Sequence, residues 1–448
     1  DKYLHFLKIY NDYLIKYLNK RGPDQNGSYI YNNISLNHNR LSINDIDSRS
    51  KQPFFFKNLV MIFNGEIYNF IKLKDILINN YNSSFIGTSD TEVLIQLFYY
   101  EGIEKTLEYI NGIFSIILLN KETNEVFIIR DRIGIKYCYY YEDDNIFMFA
   151  SNPGAIVKTL YQVNKMKFNI NKDVMFSYLA SGICLESKSM FENINGIEAG
   201  YFIKTDIKNI KIEKTKWWVP NFNRENENLE EYIKSSIKIQ ELGDVGKNIL
   251  YSGGIDSNIL AKYSKDSELI TLAVGEETVA KKCSELLNKK LKIIKSSFLE
   301  KNLSNFIDEQ RKIINFSGIP IKASYLMNMT GLYLNKNEAT NKILLIGTGG
   351  NELFYGHRRI KFNNKGYKSH IRDLYMYLSQ IKPLDNEYKD AFLKFKTDFS
   401  DKLYKKINIP ENLKESNIPR WLEIQTFLLN DLLINADNIF MYYSIEAR

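Results

Sequence analysis

Apolar residues gather in short runs through the first half of the chain, at 59–63, 114–119, 126–130 and 146–150. Runs of this length between polar turn-forming residues predict β-strands. Between them Val93, Leu94 and Leu97 share one helical face, which predicts a helix near residues 91–100. The pattern suggests a layered, strand-rich domain with covering helices. From about 206 to 227 the chain turns polar and irregular, through Trp217, Trp218 and Pro220, and a linker is expected there. The second half has a different rhythm. Apolar strands at 248–251, 269–274, 291–294 and 342–346 alternate with helical segments. That alternation predicts a parallel sheet with helices on both faces. Beyond residue 360, apolar residues at three- and four-residue spacing predict further helices.

The division follows as 1–205, a linker at 206–227, and 228–448. With 448 residues and 44% hydrophobic positions, two or three globular domains are expected. The net charge of +7 is spread along the chain, and basic stretches such as 289–295 are interrupted by apolar residues. A solvated surface is expected, with no nucleic-acid partner. The longest apolar run, 113–119, contains Ser115 and is too short to span a bilayer, so no membrane partner is expected. Cys138, Cys184 and Cys283 are widely separated and form no CxxC pair. This excludes a disulfide scaffold and a cysteine metal site, and fits a cytoplasmic location.

The strongest local signal is Tyr251-Ser252-Gly253-Gly254-Ile255-Asp256-Ser257, after a strand and before a helix. Adjacent glycines let backbone N–H groups approach an anion, at a helix N-terminus that favours negative charge. Ser252 and Ser257 can donate to phosphate oxygens, and Asp256 can hold a magnesium ion. The plainer reading is a Gly-Gly turn with Asp256 as a helix cap. The string resembles the pyrophosphate loop of the ATP pyrophosphatases, which implies attack at the α-phosphate of ATP.

The resemblance extends over nearly the whole chain. The first half carries Arg21-Gly22-Pro23-Asp24, His38-Asn39-Arg40-Leu41-Ser42-Ile43 and Phe63-Asn64-Gly65-Glu66-Ile67-Tyr68-Asn69. Thr88-Ser89-Asp90-Thr91-Glu92, Asn111-Gly112-Ile113-Phe114 and Arg130-Asp131-Arg132-Ile133-Gly134 follow. The second half adds Gly347-Thr348-Gly349-Gly350-Asn351-Glu352-Leu353-Phe354 and ends on Ser444-Ile445-Glu446-Ala447-Arg448. In this order these motifs resemble the glutamine-dependent asparagine synthetases. The resemblance implies an α/β protein: a four-layer αββα glutaminase domain of the Ntn-hydrolase type, then a parallel-sheet ATP-pyrophosphatase domain with a helical extension. It implies glutamine-binding residues Arg40, Ile43, Asn64, Gly65, Glu66 and Asp90. Arg40 offers a planar fork to a carboxylate. Asn64 and the Gly65 N–H look like an oxyanion hole. By the same resemblance Glu66 and Asp90 are placed to hold the substrate ammonium. Singly, each has a plainer reading: an ion pair for Arg40, a hairpin turn for Asn64-Gly65, a helix cap for Asp90. Arg21 to Asp24 and Arg130-Asp131 read as structural turns and ion pairs.

For the second half the resemblance implies ATP on Leu250, Ser252, Gly253, Gly254, Asp256, Ser257, Val274 and Gly347, with Mg2+ on Asp256 and, more weakly, Asn351. The expected reaction adenylates a carboxylate, by default aspartate, and amidates it with ammonia from glutamine, giving AMP, pyrophosphate and glutamate. The family nucleophile is an N-terminal Cys, expected ahead of Asp1. A family Lys is expected beyond Arg448. Thr348 and Asn351 replace acidic family residues and Ile346 replaces a serine. They leave open a specialised amide- or lactam-forming enzyme of the β-lactam synthetase or lasso cyclase type, or a degenerate synthetase serving as glutaminase or scaffold. The partners implied are small molecules, and a homodimer is allowed by the family without a surface signal here.

Overall fold

The computed structural model describes residues 2–184, 188–207, 211–221, 228–275, 277–321, 324–356, 409–410 and 413–448. The first domain begins with helix α1 (Lys2–Leu18), then β1 (Gln25–Tyr31), β2 (Ile34–Arg40), β3 (Phe54–Phe56) and β4 (Leu59–Ile67). Helices α2 (Phe70–Tyr81) and α3 (Asp90–Tyr109) follow, then β5 (Gly112–Asn120), β6 (Glu125–Arg130), β7 (Tyr139–Glu142) and β8 (Phe147–Ala150). Helices α4 (Pro153–Asn164) and α5 (Lys172–Ser181) precede β9 (Ile194–Gly196), β10 (Tyr201–Asp206) and β11 (Glu213–Lys216).

Six strands form one antiparallel sheet in the order β11-β10-β6-β5-β4-β3. Along β4, Leu59, Met61 and Phe63 point into one core with Leu73 and Leu77 of α2 and Val93, Leu94 and Leu97 of α3. Val60 and Ile62 point the other way, against Leu36 of β2 and Tyr140 of β7. Both faces are buried, so these strands read in sequence as unbroken apolar runs rather than alternations. The second layer comprises the pair β1-β2 and the three-stranded β8-β7-β9. Helices α1 and α4 pack outside it. The result is the αββα order expected.

The expected linker differs. β11 pairs antiparallel with β10, and the Trp217 ring stacks on Phe114 at 6.1 Å while its Nε1 donates to the Arg130 carbonyl at 3.2 Å. The first domain therefore runs past residue 205 to Trp218, whose N–H reaches the Gly200 carbonyl at 3.3 Å. Glu213–Lys216 is an exposed edge strand of charged and polar residues, which an apolar pattern does not mark.

The second domain holds α6 (Leu229–Gln240), β12 (Gly246–Leu250), α7 (Ile255–Tyr263), β13 (Glu268–Leu272), β14 (Leu291–Ile294), β15 (Asn341–Leu345) and β16 (Glu446–Ala447). The strands make one parallel sheet in the order β14-β13-β12-β15-β16. The order reverses at β12, so the loops after β12 and β15 flank a crevice, the usual ligand position in such sheets. Of the helices expected beyond 360, residues 357–408 lie outside the described residues, while Ile418–Glu423, Ile424–Leu433 and Ile434–Tyr442 are helical. One core unites the domains: Tyr139, Met148, Ile156 and Leu160 of the first pack with Leu272, Leu344, Ile439 and Phe440 of the second. No described helix is long and apolar enough to cross a membrane.

Candidate active site

The first domain encloses a cavity of about 510 Å³, and Arg40, Ile43, Asn64, Gly65, Glu66 and Asp90 all line it. Asn64, Gly65 and Glu66 lie within β4, opposite Ser115, Phe114 and Ile113 of β5, so the Asn-Gly pair is a strand segment and not a hairpin turn. Gly65 has φ +144°, and a Cβ there would lie 1.9 Å from the Ile113 carbonyl oxygen. Only glycine fits. Just before it, the Gln52 amide clamps Phe63: Oε1 accepts from the Phe63 N–H at 2.6 Å and Nε2 donates to its carbonyl at 3.1 Å. With its backbone so held, Asn64 presents a buried Nδ2 that has no hydrogen-bond partner among the described residues.

Arg40 is buried, so the surface ion pair is excluded. Both Nη groups are engaged: Nη1 donates to Gln25 Oε1 at 2.8 Å and the Asp47 carbonyl at 3.0 Å, Nη2 to the carbonyls of Asn44 and Asp45 at 2.8 and 2.6 Å. In this state the fork shapes loop 44–47 rather than facing open space. Ile43 lines the cavity, but its side chain packs into the second domain's core with Ile249, Tyr251, Ile343 and Leu345. Its carbonyl accepts from the Asp244 N–H at 2.8 Å, and Asp244 Oδ2 accepts from the Asp45 N–H at 2.8 Å.

Asp90 opens α3, and its Oδ2 accepts from the Ile67 N–H at 2.9 Å, tying the helix start to the end of β4. Burial pushes its carboxyl up to about 6. Burial also raises Glu66 well above the usual carboxylate range, opposed mainly by Arg448. Glu66 accepts from Asn44 Nδ2 and lies 2.9 Å from Arg448 Nη2. Two crowded, buried carboxylates in one cavity favour a cationic ligand, since its charge relieves the desolvation of both.

Sequence reasoning missed what stands behind Glu66. Arg448 Nε reaches Glu446 at 2.7 Å, and Lys136 Nζ reaches the other oxygen of Glu446 at 3.1 Å. Burial would raise Glu446, but Lys136 and Arg448 overcome it and hold the carboxyl at about 2. Asp437 pairs with Arg21 at 2.9 Å and faces Lys136 at 3.7 Å. Arg21, Lys136 and Glu66 come from the first domain, Asp437, Glu446 and Arg448 from the second. The terminal motif was visible in the sequence, but nothing local shows that it crosses to the first domain. Arg130 and Asp131 do not form the expected ion pair. Arg130 donates to the carbonyls of Lys136, Ile197 and Gly134. Asp131 collects the N–H groups of Phe114, Ile133, Gly134, Ile135 and Lys136 at 2.6–3.2 Å. Both are structural, and they set the turn that carries Lys136.

In the second domain the 251–257 loop sits after β12 and opens α7. Gly253 has φ +77°, and a Cβ there would meet Ala280 Cα at 2.9 Å. Ser252 Oγ accepts from the Gly254 N–H at 3.2 Å, and Ser257 Oγ accepts from the Ser252 N–H at 3.3 Å. Leu250 and Val274 stand at the ends of neighbouring strands, Val274 exposed. Gly347 and Gly350, after β15, both press on Asp256: a Cβ would lie 3.0 Å from Asp256 Cβ at the first and 2.6 Å from its Cγ at the second. The two signatures therefore meet at Asp256. Burial, then the Glu352 charge, raise the Asp256 carboxyl. Glu352 is buried and accepts from the Gly349 N–H at 3.1 Å. Asn351 is exposed, with its side-chain oxygen beside Gly356. Asp256 and Glu352 thus form the better cation-binding pair. Magnesium commonly takes one or two carboxylates with phosphate oxygens, and this donor set suits it.

Residues 11–218 match the model of a glutamine amidotransferase domain, and 228–448 match that of asparagine synthase. A Methanocaldococcus jannaschii protein assigned as a glutamine-hydrolyzing asparagine synthetase is 30% identical over 293 residues, 58% of this chain and 56% of its own. The glutamine-hydrolyzing asparagine synthetase 2 of Bacillus subtilis is 31% identical over 55% of this chain and 35% of its own. Asparagine synthetase 1 of the same organism is 24% identical over 97% of this chain and 75% of its own. The chain thus spans about half the length of the first of these relatives or less. With the amidotransferase and synthase domains in this order along one chain, the chain belongs to the glutamine-dependent asparagine synthetase family.

Proposed function

We propose that this chain is the working part of a glutamine-dependent, ATP-consuming carbon–nitrogen ligase. In the first domain glutamine and water give glutamate and ammonia. In the second a carboxylate and ATP give an acyl-AMP and pyrophosphate. Ammonia then displaces AMP to form the amide, with aspartate as the default carboxylate. The observation that carries the first half is the unpartnered, buried Nδ2 of Asn64, beside Gly65 and in the same cavity as Glu66 and Asp90. A desolvated donor without an acceptor is rare in native proteins and marks a place where an acceptor arrives. Glu66 and Asp90 take the substrate ammonium, and Arg40 orients its carboxylate directly or through the loop it shapes.

The nucleophile in this proposal is the family's terminal Cys, with its own amine as base. Cys138 lines the cavity, but burial pushes its thiol up to about 11, which leaves almost no thiolate at neutral pH.

In the second domain the backbone N–H groups of 252–254 and the α7 N-terminus hold the pyrophosphate end of ATP. Asp256 and Glu352 would hold a magnesium ion, and such an ion would supply positive charge against the phosphate oxygens. The complete glutamine cavity favours ammonia over a substrate's own amine as the attacking nitrogen. The test is full-length protein with glutamine, ATP, magnesium and aspartate, scored for glutamate, AMP, pyrophosphate and asparagine. Pyrophosphate release with other carboxylates alone would reassign the substrate. Pyrophosphate release with none would refute the ligase reading, and absence of glutamate would refute the glutaminase reading.

A further inference from the structure

The amino-group end of the glutamine cavity draws on both domains. Glu66 belongs to β4, yet one of its oxygens faces Arg448 Nη2 at 2.9 Å and the other accepts from Asn44 Nδ2. Arg448 is wholly buried and fixed on every side. Its Nη1 donates to the carbonyls of Gln240 and Leu242 at 2.9 and 2.6 Å, just after α6, and its Nε to Glu446 at 2.7 Å. Its backbone N–H donates to the Leu344 carbonyl at 2.9 Å and its carbonyl accepts from the Ile346 N–H at 3.0 Å. The residue is therefore in register with β15, next to the Gly347 that presses on Asp256. Among the described residues Nη2 makes no aligned hydrogen bond, and the charged group it meets is the Glu66 carboxylate at 2.9 Å.

We propose that Arg448 is a positioning residue for glutamine: held by the second domain, it sets its guanidinium against the Glu66 carboxylate and counters the burial of that charge, so that the ammonium subsite is completed across the domain interface. This rests on the function proposed above. The groups facing Glu66 are Asp90 from α3, Tyr68 beyond β4, Lys136 from the turn before β7, Glu446 and Arg448 from β16 and its end, and Arg40 from β2. Asp90 and Glu446 repel a charge on Glu66, and Lys136 is already committed to Glu446. Arg448 is the cation in direct contact with Glu66 among the described residues. Without it, Glu66 takes up a proton at higher pH and loses its attraction for an ammonium group.

The test uses the full-length enzyme and compares wild type, R448M, R448K, E66Q and the double variant R448M/E66Q. Glutamate release is measured from pH 5.5 to 8.5, with thermal unfolding as a check on folding. R448M should raise KM for glutamine at neutral pH about tenfold or more, the size of a lost charged contact, with kcat changed much less. The pH below which KM climbs should move upward. R448K should restore the shape of that profile more than the value of KM, because it returns the charge without the fork. The double variant should be no worse than E66Q, because Arg448 acts through Glu66. If R448M does not fold, the same cycle is read with R448K. An unmoved KM profile, or losses that add in the double variant, would overturn this inference while leaving the glutaminase intact. A wild type that neither binds nor hydrolyses glutamine would instead refute the function on which it rests.

Discussion

Replacing Asn64 with alanine separates the catalytic role proposed for this residue from any structural one. In the resting protein Asn64 Nδ2 is buried and donates to nothing. An unsatisfied buried donor costs roughly 1–3 kcal/mol. N64A removes that cost and loses the packing of the amide group, so the two effects largely cancel. Stability should change by less than about 1 kcal/mol, or rise. Catalysis should respond very differently. Loss of one oxyanion donor costs about 2.7–4 kcal/mol in the transition state, or roughly 10²–10³ in kcat. KM should hardly move, because the donor is aimed at the charge that develops rather than at the bound amide. N64D should be worse than N64A, since it sets a carboxylate where negative charge develops. The assay is steady-state glutamate release from the full-length enzyme, beside a thermal melt of each variant. A kcat within about threefold of wild type, a difference well under 1 kcal/mol, would refute the oxyanion assignment. A marked fall in melting temperature would show that Nδ2 is bonded after all.

Gly65→Ala should destabilise the first domain by several kcal/mol, because the new Cβ would lie 1.9 Å from the Ile113 oxygen at φ +144°; unfolding by denaturant reads this, and a stable variant would mean that the strand can shift there. Gly350→Ala should push the Asp256 carboxylate aside, with its Cβ 2.6 Å from Asp256 Cγ; pyrophosphate release should fall while glutamate release persists. Asp131→Ala takes the carboxylate away from five backbone N–H groups, of which Gly134 keeps the carbonyl of residue 131 at 3.2 Å, and should cost at least about 3 kcal/mol, measured by melting. Asp90 has a folded value near 6, above its ordinary 3.8, so the folded state holds this proton more tightly than the unfolded chain. Between those values the ionisation of the unfolded chain lowers stability as pH rises, and the Asp90 penalty is complete above about 6. Glutamine, whose ammonium needs the ionised form, should bind more weakly as pH falls through 6, and Asp90→Asn should flatten that dependence of KM.

Strands β4, β5, β6 and β8 of the first domain and β12 to β15 of the second were legible because each buries one or two apolar faces, and periodicity reports burial. β11 was not, because Glu213–Lys216 is exposed and contributes only backbone pairing. The residues of the glutamine cavity were legible as a set through the motifs, but their contacts were not. Arg40 carried the signature of a carboxylate fork, and no sequence pattern shows that its Nη groups already hold loop 44–47. Sequence pattern alone does not show where Glu352, placed after a Gly-Gly turn, points. The turn buries it beside Asp256, while Asn351 points outward. Arg448 is separated from Glu66 by almost the entire chain, a distance at which neither spacing nor propensity carries information.

Ile43 illustrates how inheritance and chain order can part company. By sequence it sits far upstream of the boundary near 218–228, yet its side chain fills space among Ile249, Tyr251 and Ile343. A recombination event cutting at that boundary would leave a void in one parent's synthetase half and carry away the bulk that fills it. The cost of such a void is roughly 2–5 kcal/mol for a buried isoleucine, a large share of a domain's stability. The glutamine loop would lose its seat in the same stroke. The two halves are therefore expected to travel as a matched pair, and an engineered exchange of synthetase domains should choose residue 43 to suit the incoming partner.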